Sequence, residues 1–343
     1  MKKVKQKVLC VGSMGKDIFL PVSSASVVNE DKQTAQNKQL CFGYGTKVHI
    51  EDRFSALGGC ACNVSIGLSR LGIEVTALGN VGEDFDKDWI VSEMTREGVD
   101  VGGIQTIKKA KTDLSIIIVD THTGERTIFV NRDVGEQLII KSEDVAGFDW
   151  CFVGSLYGSD IKNNMRAIHD AIANSGMQLV YNPGGKNIDQ DEEIVLDLIH
   201  HTSLLFVNKE EAQKIVSKFD LLYNEEELQS EEYLMSILKK HMQAENAKVV
   251  LTDGLRGAWG YDGQRIYHTK TIDKSVQDTT GAGDAFASGF FAATLYNLTM
   301  KQRMQWGSIN GDAVVDYYGA QKGLKKYDTI EDNTDKFPVE SKK

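Results

Sequence analysis

The stretch VQDTTGAGDAFASGFF, from Val276 to Phe291, carries the densest pattern in this chain of 343 residues. A turn of small residues at Gly281, Ala282 and Gly283 leads directly into an apolar segment of helical character. Small residues allow several backbone N–H groups to converge at the start of a helix, where unpaired donors and the helix dipole favour a phosphate group. We therefore predict a phosphate-binding turn at the beginning of a buried helix.

Asp284 follows this turn and places a carboxylate beside the predicted anion site. Two negative groups at one place are electrostatically costly, and removal of a proton from an alcohol that attacks a phosphate is a chemical reason for such a pair. The alternative is a helix cap, a role that aspartate often takes. The neighbouring Asp278 and Thr280 favour the catalytic interpretation, because a motif gains weight from its context.

A second glycine-rich motif, GGCACNVS, runs from Gly58 to Ser65. Gly59 allows a close approach of the backbone to a ligand, and Asn63 offers both a donor and an acceptor to a hydroxyl group. Asp17, just after the first predicted strand, can accept hydrogen bonds from two neighbouring hydroxyls. Simpler roles stay open at this point, namely a turn residue for Asp17 and a helix cap for Asn63.

Short apolar runs alternate with segments of helical periodicity along most of the chain. The predicted strands are 7–12, 75–82, 150–155, 178–183, 204–208 and 248–254, and the predicted helices are 62–71, 89–97, 163–174 and 210–219. Such alternation indicates β-α-β units, in which a mostly parallel sheet is covered by helices on both faces. The sequence therefore predicts the α/β class.

Two stretches interrupt this alternation. Residues 18–57 contain strand-like runs separated by a polar tract, and residues 112–131 alternate like a hairpin around a turn at 121–125. We predict that they form a small antiparallel lid beside the main sheet, from about 18–57 and 110–132. Residues 224–244 are rich in charge and are predicted to form an exposed helical insertion.

The chain has no internal repeat and no low-complexity linker, which predicts one domain over 1–330. A polar C-terminal tail at 331–343 follows, and we expect the chain to be frayed after Lys325. The formal net charge of −10 argues against nucleic acid as a partner. No apolar run approaches the about 20 residues that span a bilayer, and the basic N-terminus lacks the long apolar region of a signal peptide, so we expect no membrane partner.

The five cysteines form no even disulfide framework and no Cys-x-x-Cys pair. This usage favours a reducing compartment, so we predict a cytoplasmic protein. Cys60 and Cys62 have no histidine or cysteine at metal-binding spacing and are predicted to be small buried residues.

Competing motifs are absent from the sequence. It contains no GxxxxGK[ST] loop, no GxGxxG after the first strand and no GxSxG. The segments GGCACNVS and DTTGAGDAFASGF instead resemble the two signature regions of the ribokinase-like (PfkB) carbohydrate kinases, and the resemblance runs from about Val8 to Leu324. It implies a three-layer α/β/α ribokinase-like fold with a small β-strand lid, and transfer of the γ-phosphate of ATP to a hydroxymethyl group of a sugar or nucleoside.

The resemblance also implies roles for individual positions. Asp284 corresponds to the general base of the family, and Gly281, Ala282 and Gly283 correspond to its anion hole. The positions that correspond to substrate contacts are Asp17, Gly59 and Asn63, and those that correspond to nucleotide contacts are Asn208, Thr252, Gly254, Gly257, Gly281 and Gly283.

Metal positions follow from the same resemblance. Asn208 and Glu211 match the Asn-x-x-Glu motif, which in the family orders Mg²⁺ largely through water. Asp278 and Thr280 match positions that in many members help bind a monovalent cation such as K⁺, and the end of that cation loop falls near 319–321. The segment 309–318 departs from the family pattern, which leaves Asn310 as a weak candidate for the adenine contact.

Several alternatives stay open in the sequence. Ribose, fructose, 2-keto-3-deoxygluconate and adenosine kinases share both motifs, so a nucleoside (adenosine) kinase is an alternative to a sugar kinase. A catalytically silent, ligand-binding member is a further alternative, although such a member is expected to lose Asp284 or the glycines. Strands of an exposed lid invite edge pairing, which predicts a homodimer through the lid. Arg132 lies near the lid, where it could meet an anionic substrate, but a salt-bridging role is the simpler prediction.

Overall fold

The computed structural model describes residues 4–23, 26–29, 38–122, 126–156, 158–190, 192–219, 223–274 and 276–342. The strands are β1 Val8–Val11, β2 Gly15–Val22, β3 Ser26–Asn29, β4 Lys38–Cys41, β5 Phe54–Gly58, β6 Val75–Gly82, β7 Asp100–Ile107, β8 Asp113–Asp120, β9 Arg126–Asn131, β10 Trp150–Val153, β11 Gln178–Tyr181, β12 Thr202–Asn208, β13 Lys248–Thr252, β14 Ala258–Tyr261, β15 Ile266–Thr269 and β16 Val339–Lys342. The helices are α1 Cys60–Arg70, α2 Phe85–Arg96, α3 Ser142–Val145, α4 Ile161–Ser175, α5 Gly184–Gln190, α6 Glu192–His201, α7 Lys209–Lys218, α8 Glu231–His241, α9 Ala282–Leu295, α10 Met300–Val314 and α11 Tyr327–Ile330.

Ten strands form the main sheet in the order β16-β15-β14-β13-β12-β11-β10-β1-β6-β7. All pairs from β13 through β12, β11, β10, β1 and β6 to β7 are parallel, and the pairs from β13 to β16 are antiparallel. The predicted α/β class and mostly parallel sheet are confirmed, and each predicted strand of the alternating region is present.

Two hydrophobic cores lie on opposite faces of this sheet. Along β1, Val8 and Cys10 belong to one core, and Leu9 and Val11 belong to the other, because successive side chains of a strand point to opposite faces. The first core contains buried residues of α1, α9 and α10, and the second contains those of α4, α6, α7 and α8. The molecule is therefore built of three layers, as the resemblance implied.

The lid consists of a four-stranded sheet in the order β5-β2-β8-β9 and a separate pair of strands, β3 and β4. The pairs β2–β5 and β8–β9 are antiparallel, but β2 and β8 pair in parallel. The prediction of a purely antiparallel lid is thus wrong at one pair, because β2 and β8 enter the lid from the same side of the molecule after a long connection. Part of the predicted polar lid segment (24–25 and 30–37) and most of the hairpin turn (123–125) lie outside the described residues.

Two further expectations differ from the structure. The segment 224–244 is not an exposed insertion, because α8 buries Leu234, Met235 and Leu238 in the second core. The chain after Lys325 is not frayed over the described part: α11 and a 3₁₀ turn are followed by β16, which pairs with β15 from Val339 to Lys342. None of the helices within the described residues is long and apolar enough to span a bilayer.

Candidate active site

The two glycine motifs meet where α1 and α9 begin. Gly59 precedes α1 with φ of 93°, and Gly281 precedes α9 with φ of 73°, both conformations that favour glycine. From these two helix starts the Asn63 side chain reaches Asp284, and its Nδ2 donates a hydrogen bond of 2.8 Å to the Asp284 Oδ2. Residues from opposite ends of the chain therefore share one site, as the sequence predicted for this pair.

Asp284 occupies an environment that favours the proton-bound form of its carboxyl group. Burial raises the pKa of Asp284, and the hydrogen bond from Asn63 partly counteracts this shift. The residue is in the first turn of α9, where the helix dipole favours a negative charge. It does not act as the helix cap, since the cap residue is Gly281 and makes no side-chain hydrogen bond. The carboxylate is thus free of the capping role that the sequence left open.

Asn63 is fixed by a chain of hydrogen bonds that sequence reasoning missed. Its Oδ1 accepts a hydrogen bond from the Nε2 of Gln321. The same Nε2 donates a second hydrogen bond, of 2.9 Å, to the carbonyl of Leu57. The backbone carbonyl of Gln321 accepts a hydrogen bond of 2.7 Å from the Arg70 Nη1. The Arg70 guanidinium also donates two hydrogen bonds to the Glu97 carboxylate. Because Gln321 Nε2 can only donate, it holds the oxygen of the Asn63 amide and leaves the Asn63 Nδ2 for Asp284.

Asp17 lies on β2, in the lid, with Ala56 and Ser115 as its register neighbours on the two adjacent strands. Burial raises the pKa of Asp17, a hydrogen bond with Ser115 and the charge of Arg132 lower it, and Asp278 raises it. A Cβ built on Gly58 would lie 2.5 Å from the Asp17 Oδ1, so this glycine gives the carboxylate its space. Gly59 likewise has no room for a side chain against the Ser13 carbonyl.

Cys60 and Cys62 lie beside the site, and the prediction that both are buried is confirmed for Cys62. Cys62 is buried and Cys60 is partly buried, and both are free. Burial, and then the charge of Asp284, raise the pKa of Cys60 to about 11. Burial also raises the pKa of Cys62, with smaller contributions from Asp17 and Asp284. The thiol of Cys62 therefore lies within electrostatic reach of both carboxylates.

Asp278 organises the loop before α9. Its Oδ1 accepts hydrogen bonds from the backbone N–H (3.0 Å) and hydroxyl (2.8 Å) of Thr280, and its Oδ2 accepts 3.2 Å from the Gly319 N–H. The Nη1 of Arg126 lies 3.8 Å from the Asp278 Oδ1 and donates 2.8 Å to the Thr279 hydroxyl. The loop at 278–280 and the segment near 319 are therefore adjacent, as the predicted cation loop requires.

Asn208 and Glu211 form a reciprocal capping box at the start of α7. The Asn208 side chain accepts 2.8 Å from the Glu211 N–H, and the Glu211 Oε2 accepts 2.9 Å from the Asn208 N–H. Burial raises the pKa of Glu211, with further contributions from Asp284 and Glu210. Glu211 is thus electrostatically coupled to the Asp284 carboxylate, in addition to its capping role.

A cavity of about 330 Å³ adjoins the start of α9. Of the predicted nucleotide positions, Thr252, Gly254, Gly257 and Gly283 line it, whereas Asn208 and Gly281 do not. The weaker candidate Asn310 does not line it either. Asn310 is instead buried, and its side chain bonds to Ser288 and to the Lys325 N–H, so the structure places it away from the wall of this cavity. Lining residues that the sequence did not reveal are Leu255, Ile272, Phe286, Gly311, Val315 and Phe337.

Arg132 sits at the C-terminal end of the hairpin strand β9. Its Nη1 lies 3.7 Å from the Asp113 Oδ2, and Asp113 is fully buried. The other oxygen of Asp113 accepts three backbone N–H groups, from Asp133, Val134 and Gly135. The simpler prediction of a salt-bridging arginine agrees with this geometry.

The sequence of this chain is similar to those of known kinases. The family model for "pfkB family carbohydrate kinase" matches residues 22–326. The chain belongs to the pfkB family of carbohydrate kinases. It is accordingly a phosphotransferase of the class that acts on sugars or nucleosides, and ATP is the phosphate donor expected of that family.

Relatives within the pfkB family differ in their named substrates. A nucleoside kinase of Methanocaldococcus jannaschii is 23% identical over 335 residues, which cover 97% of this chain and 98% of the relative. An uncharacterized sugar kinase of Archaeoglobus fulgidus is 26% identical over 267 residues (76% of this chain and 99% of the relative), and a fructokinase of Salmonella typhimurium is 26% identical over 250 residues (70% and 77%).

Solved structures share the fold. The crystal structure of the M. jannaschii nucleoside kinase, described as an archaeal member of the ribokinase family, superposes with a TM-score of 0.76 at 18% identity and covers 97% of this chain and 99% of its own. A Burkholderia thailandensis nucleoside kinase in complex with inosine gives 0.75 at 16% identity, with coverages of 96% and 98%. A ribokinase of Cryptococcus neoformans in complex with ADP gives 0.74 at 20% identity, with coverages of 96% and 100%. These likenesses confirm the ribokinase-like fold with its lid.

Proposed function

We propose that this pfkB-family protein transfers the γ-phosphate of ATP to a hydroxymethyl group of a sugar or nucleoside, with Asp284 as the general base. The observation that carries the proposal is the position of the Asp284 carboxylate. It lies at the N-terminus of α9, bonded to Asn63 and next to the cavity that Gly283 lines. A carboxylate whose pKa is raised by burial is a more effective proton acceptor than an exposed one.

The chain's own groups would position both reactants. The backbone N–H groups at Gly281, Ala282 and Gly283 would stabilise charge on the transferred phosphate, because they lie at a helix N-terminus. A Cβ built on Gly283 meets nothing within 4 Å, which leaves room for a phosphate at this turn. Asp17 would accept hydrogen bonds from substrate hydroxyls, and Asn63 could both donate and accept such bonds. The lid strands would exclude water, which competes with the substrate as a phosphate acceptor.

Metal ions fit this site by charge. Burial, and then the charge of Asp284, raise the pKa of Glu211, so these two carboxylates lie within electrostatic reach of each other at the proposed phosphate site. We propose that Asn208 and Glu211 hold Mg²⁺ largely through water, and that Asp278 and Thr280 belong to a K⁺ loop. Mg²⁺ would neutralise the phosphate charge when bound. The hydrogen bonds that occupy both Asp278 oxygens indicate a supporting role for its side chain, with backbone oxygens left for the cation.

A nucleoside is the second candidate substrate. The observation that favours it is the match to the M. jannaschii nucleoside kinase over 97% of this chain, whereas the fructokinase match covers 70%. The catalytic groups proposed here serve either acceptor, since both carry a hydroxymethyl group.

We further propose a homodimer formed through the lid, in a reducing cytoplasm. Three consecutive apolar residues of β9 are 46–56% exposed: Ile128, Phe129 and Val130. These residues alternate between the two faces of β9, which is an edge strand of the lid sheet, and an exposed apolar edge strand is typical of an interaction surface. All five cysteines are free, which supports a reducing compartment.

The test is ADP release with MgATP and K⁺ across ribose, fructose, 2-keto-3-deoxygluconate, adenosine and fructose phosphates. We expect one acceptor to exceed the others, and we expect Asp284→Asn to lose turnover while ATP binding, measured by calorimetry, stays nearly intact. The matched control is Asp328→Asn, an exposed aspartate of α11, which should retain full activity. If Asp284→Asn keeps most of its kcat, Asp284 is not the base. If the wild type binds ATP but turns over none of these or further alcohols, the catalytically silent alternative holds.

A further inference from the structure

Three potential metal ligands meet on the outer helical layer, away from the kinase site. His169 lies on α4, and Asp197 and His201 lie on α6, four residues apart and hence on the same face of that helix. α4 and α6 pack against each other, and both bury residues in the second core, among them Ile168 and Leu198. Each of the three residues offers one ligand atom, and these atoms all lie within 4.8 Å of one another.

The two imidazoles have the separation that a shared metal ion requires. The Nε2 of His169 lies 3.1 Å from the Nε2 of His201, and the rings are edge to face at 69°. Two nitrogens at about 2.0–2.1 Å from a tetrahedral ion lie about 3.3 Å apart. The two nitrogens thus face each other at nearly the distance that they would adopt around one ion.

A carboxylate lies near the other nitrogen of His169. Its Nδ1 lies 3.6 Å from the Asp170 Oδ1. Histidines that bind metals commonly direct their second nitrogen to a carboxylate, which fixes the tautomer and orients the ring.

We propose that His169, Asp197 and His201 form a binding site for one borderline divalent metal ion, of the Zn²⁺ class. Two imidazoles and one carboxylate are ligands that this class accepts, with water in the fourth position. The ion would link α4 to α6. A direct hydrogen bond between the two rings is the competing explanation for their contact, and it gives no role to Asp197.

The proposed site is remote from the phosphate transfer. His201 ends α6 immediately before β12, whereas Asn208 lies at the opposite end of this seven-residue strand. A strand of that length spans about 20 Å. We therefore expect the ion to stabilise the fold by binding the native state, without a part in the transfer step.

The experiment uses the full-length protein without a histidine tag, freed of metal by chelation and kept free of nucleotide at pH 7.5. Zn²⁺ binding is measured by competition with a chromophoric chelator, and Co²⁺ is used as a spectroscopic probe of coordination. We expect one equivalent of Zn²⁺, a visible Co²⁺ spectrum typical of a tetrahedral site and a Tm that rises with Zn²⁺. Loss of a residue that only orients a metal ligand lowers metal affinity about 10- to 100-fold, and we expect an effect of this size for Asp170→Asn. His201→Gln and His169→Gln remove ligands and should therefore weaken Zn²⁺ binding by more than this.

The matched control is His122→Gln, which removes an imidazole that is 68% exposed and outside the cluster. It should bind Zn²⁺ as the wild type does. Circular dichroism and Tm in chelator verify that each variant is folded, and Asp197→Asn replaces any histidine variant that is not. The proposal is overturned if the wild type takes up no stoichiometric Zn²⁺, or if His201→Gln and His169→Gln bind it as tightly as the wild type. Loss of binding in Glu211→Gln but not in His201→Gln would place the ion at the kinase site and also overturn it.

Discussion

Replacement of Gly281 by alanine tests the two reasons for a glycine at this turn, namely its left-handed backbone conformation and the lack of space for a side chain beside Ala320. Gly281 has φ of 73°, and a Cβ built there would overlap the methyl group of Ala320 and lie 3.0 Å from its Cα. The left-handed conformation costs an alanine about 1–2 kcal/mol, and overpacking of this kind costs about 1–3 kcal/mol. Gly281→Ala should therefore lower the free energy of unfolding by about 2–5 kcal/mol.

Gly283→Ala is the matched control two residues further on. No heavy atom lies within 4 Å of a Cβ built on Gly283, and its φ is not in the left-handed region. Within a helix alanine is favoured over glycine by about 0.5–1 kcal/mol, so Gly283→Ala should keep or increase stability. It adds a methyl group to the wall of the cavity, however, so its KM for ATP should rise.

Urea denaturation at one pH, with the m-value compared between variants, measures both changes. A double-mutant cycle with Ala320→Gly isolates the steric part, because that change removes the overlapping methyl and leaves the φ of residue 281 untouched. We expect Gly281→Ala to recover part of its stability in the Ala320→Gly background. Equal stability of Gly281→Ala and Gly283→Ala, or strict additivity in the cycle, would refute the argument from φ and contact.

Three further predictions concern the site. Burial raises the pKa of Asp284 above its unfolded value, so its contribution to stability is present at low pH and is lost as the pH rises through the folded pKa. Asp284→Asn should therefore gain stability over the wild type between pH 4.5 and pH 7.5 in urea denaturation, and a constant difference would contradict this. Asn63→Ala removes a hydrogen bond that lowers the pKa of Asp284, so the acidic limb of kcat/KM should move to higher pH in a pH–rate profile; an unmoved limb would exclude Asp284 as the titrating group. Leu255 lines the cavity yet is 83% exposed, so Leu255→Ala should raise the KM for ATP about 5- to 30-fold, as expected for loss of about 1–2 kcal/mol of burial against the nucleotide, with unchanged Tm.

Local pattern predicted the parallel part of the fold, since fully apolar runs such as those at β1 and β10 can only be buried on both faces. Local pattern did not predict two elements: a strand that is held by backbone pairing alone, and a helix whose buried side is a narrow apolar stripe. β16 (VESK) is almost entirely exposed and is held by pairing with β15, which leaves no trace in its side chains. In α8 a stripe of Leu234, Met235 and Leu238 was present in the sequence, but the surrounding charges concealed it.

Motif spacing could nominate the site residues but not their partners. Asn63 and Asp284 were both candidates, whereas Gln321 was named only within the end of the predicted cation loop, and nothing in the sequence indicated that it orients Asn63. Phe337 lines the cavity from a segment that was expected to be frayed. Contacts of this kind are created by tertiary packing over hundreds of residues, and a single sequence encodes them only through the final fold.

The contact between the two motifs nevertheless has a basis that the sequence contains. One helical turn beyond Asn63 on α1 is Gly67, and one turn beyond Asp284 on α9 is Ser288. A Cβ built on Gly67 would lie 2.5 Å from the Cβ of Ser288, so the two helices approach each other as closely as a glycine and a serine permit. This close packing carries Asn63 and Asp284 to within 2.8 Å, although 221 residues separate them in the chain. The small residues one helical turn after Asn63 and Asp284 therefore set the distance between these two side chains.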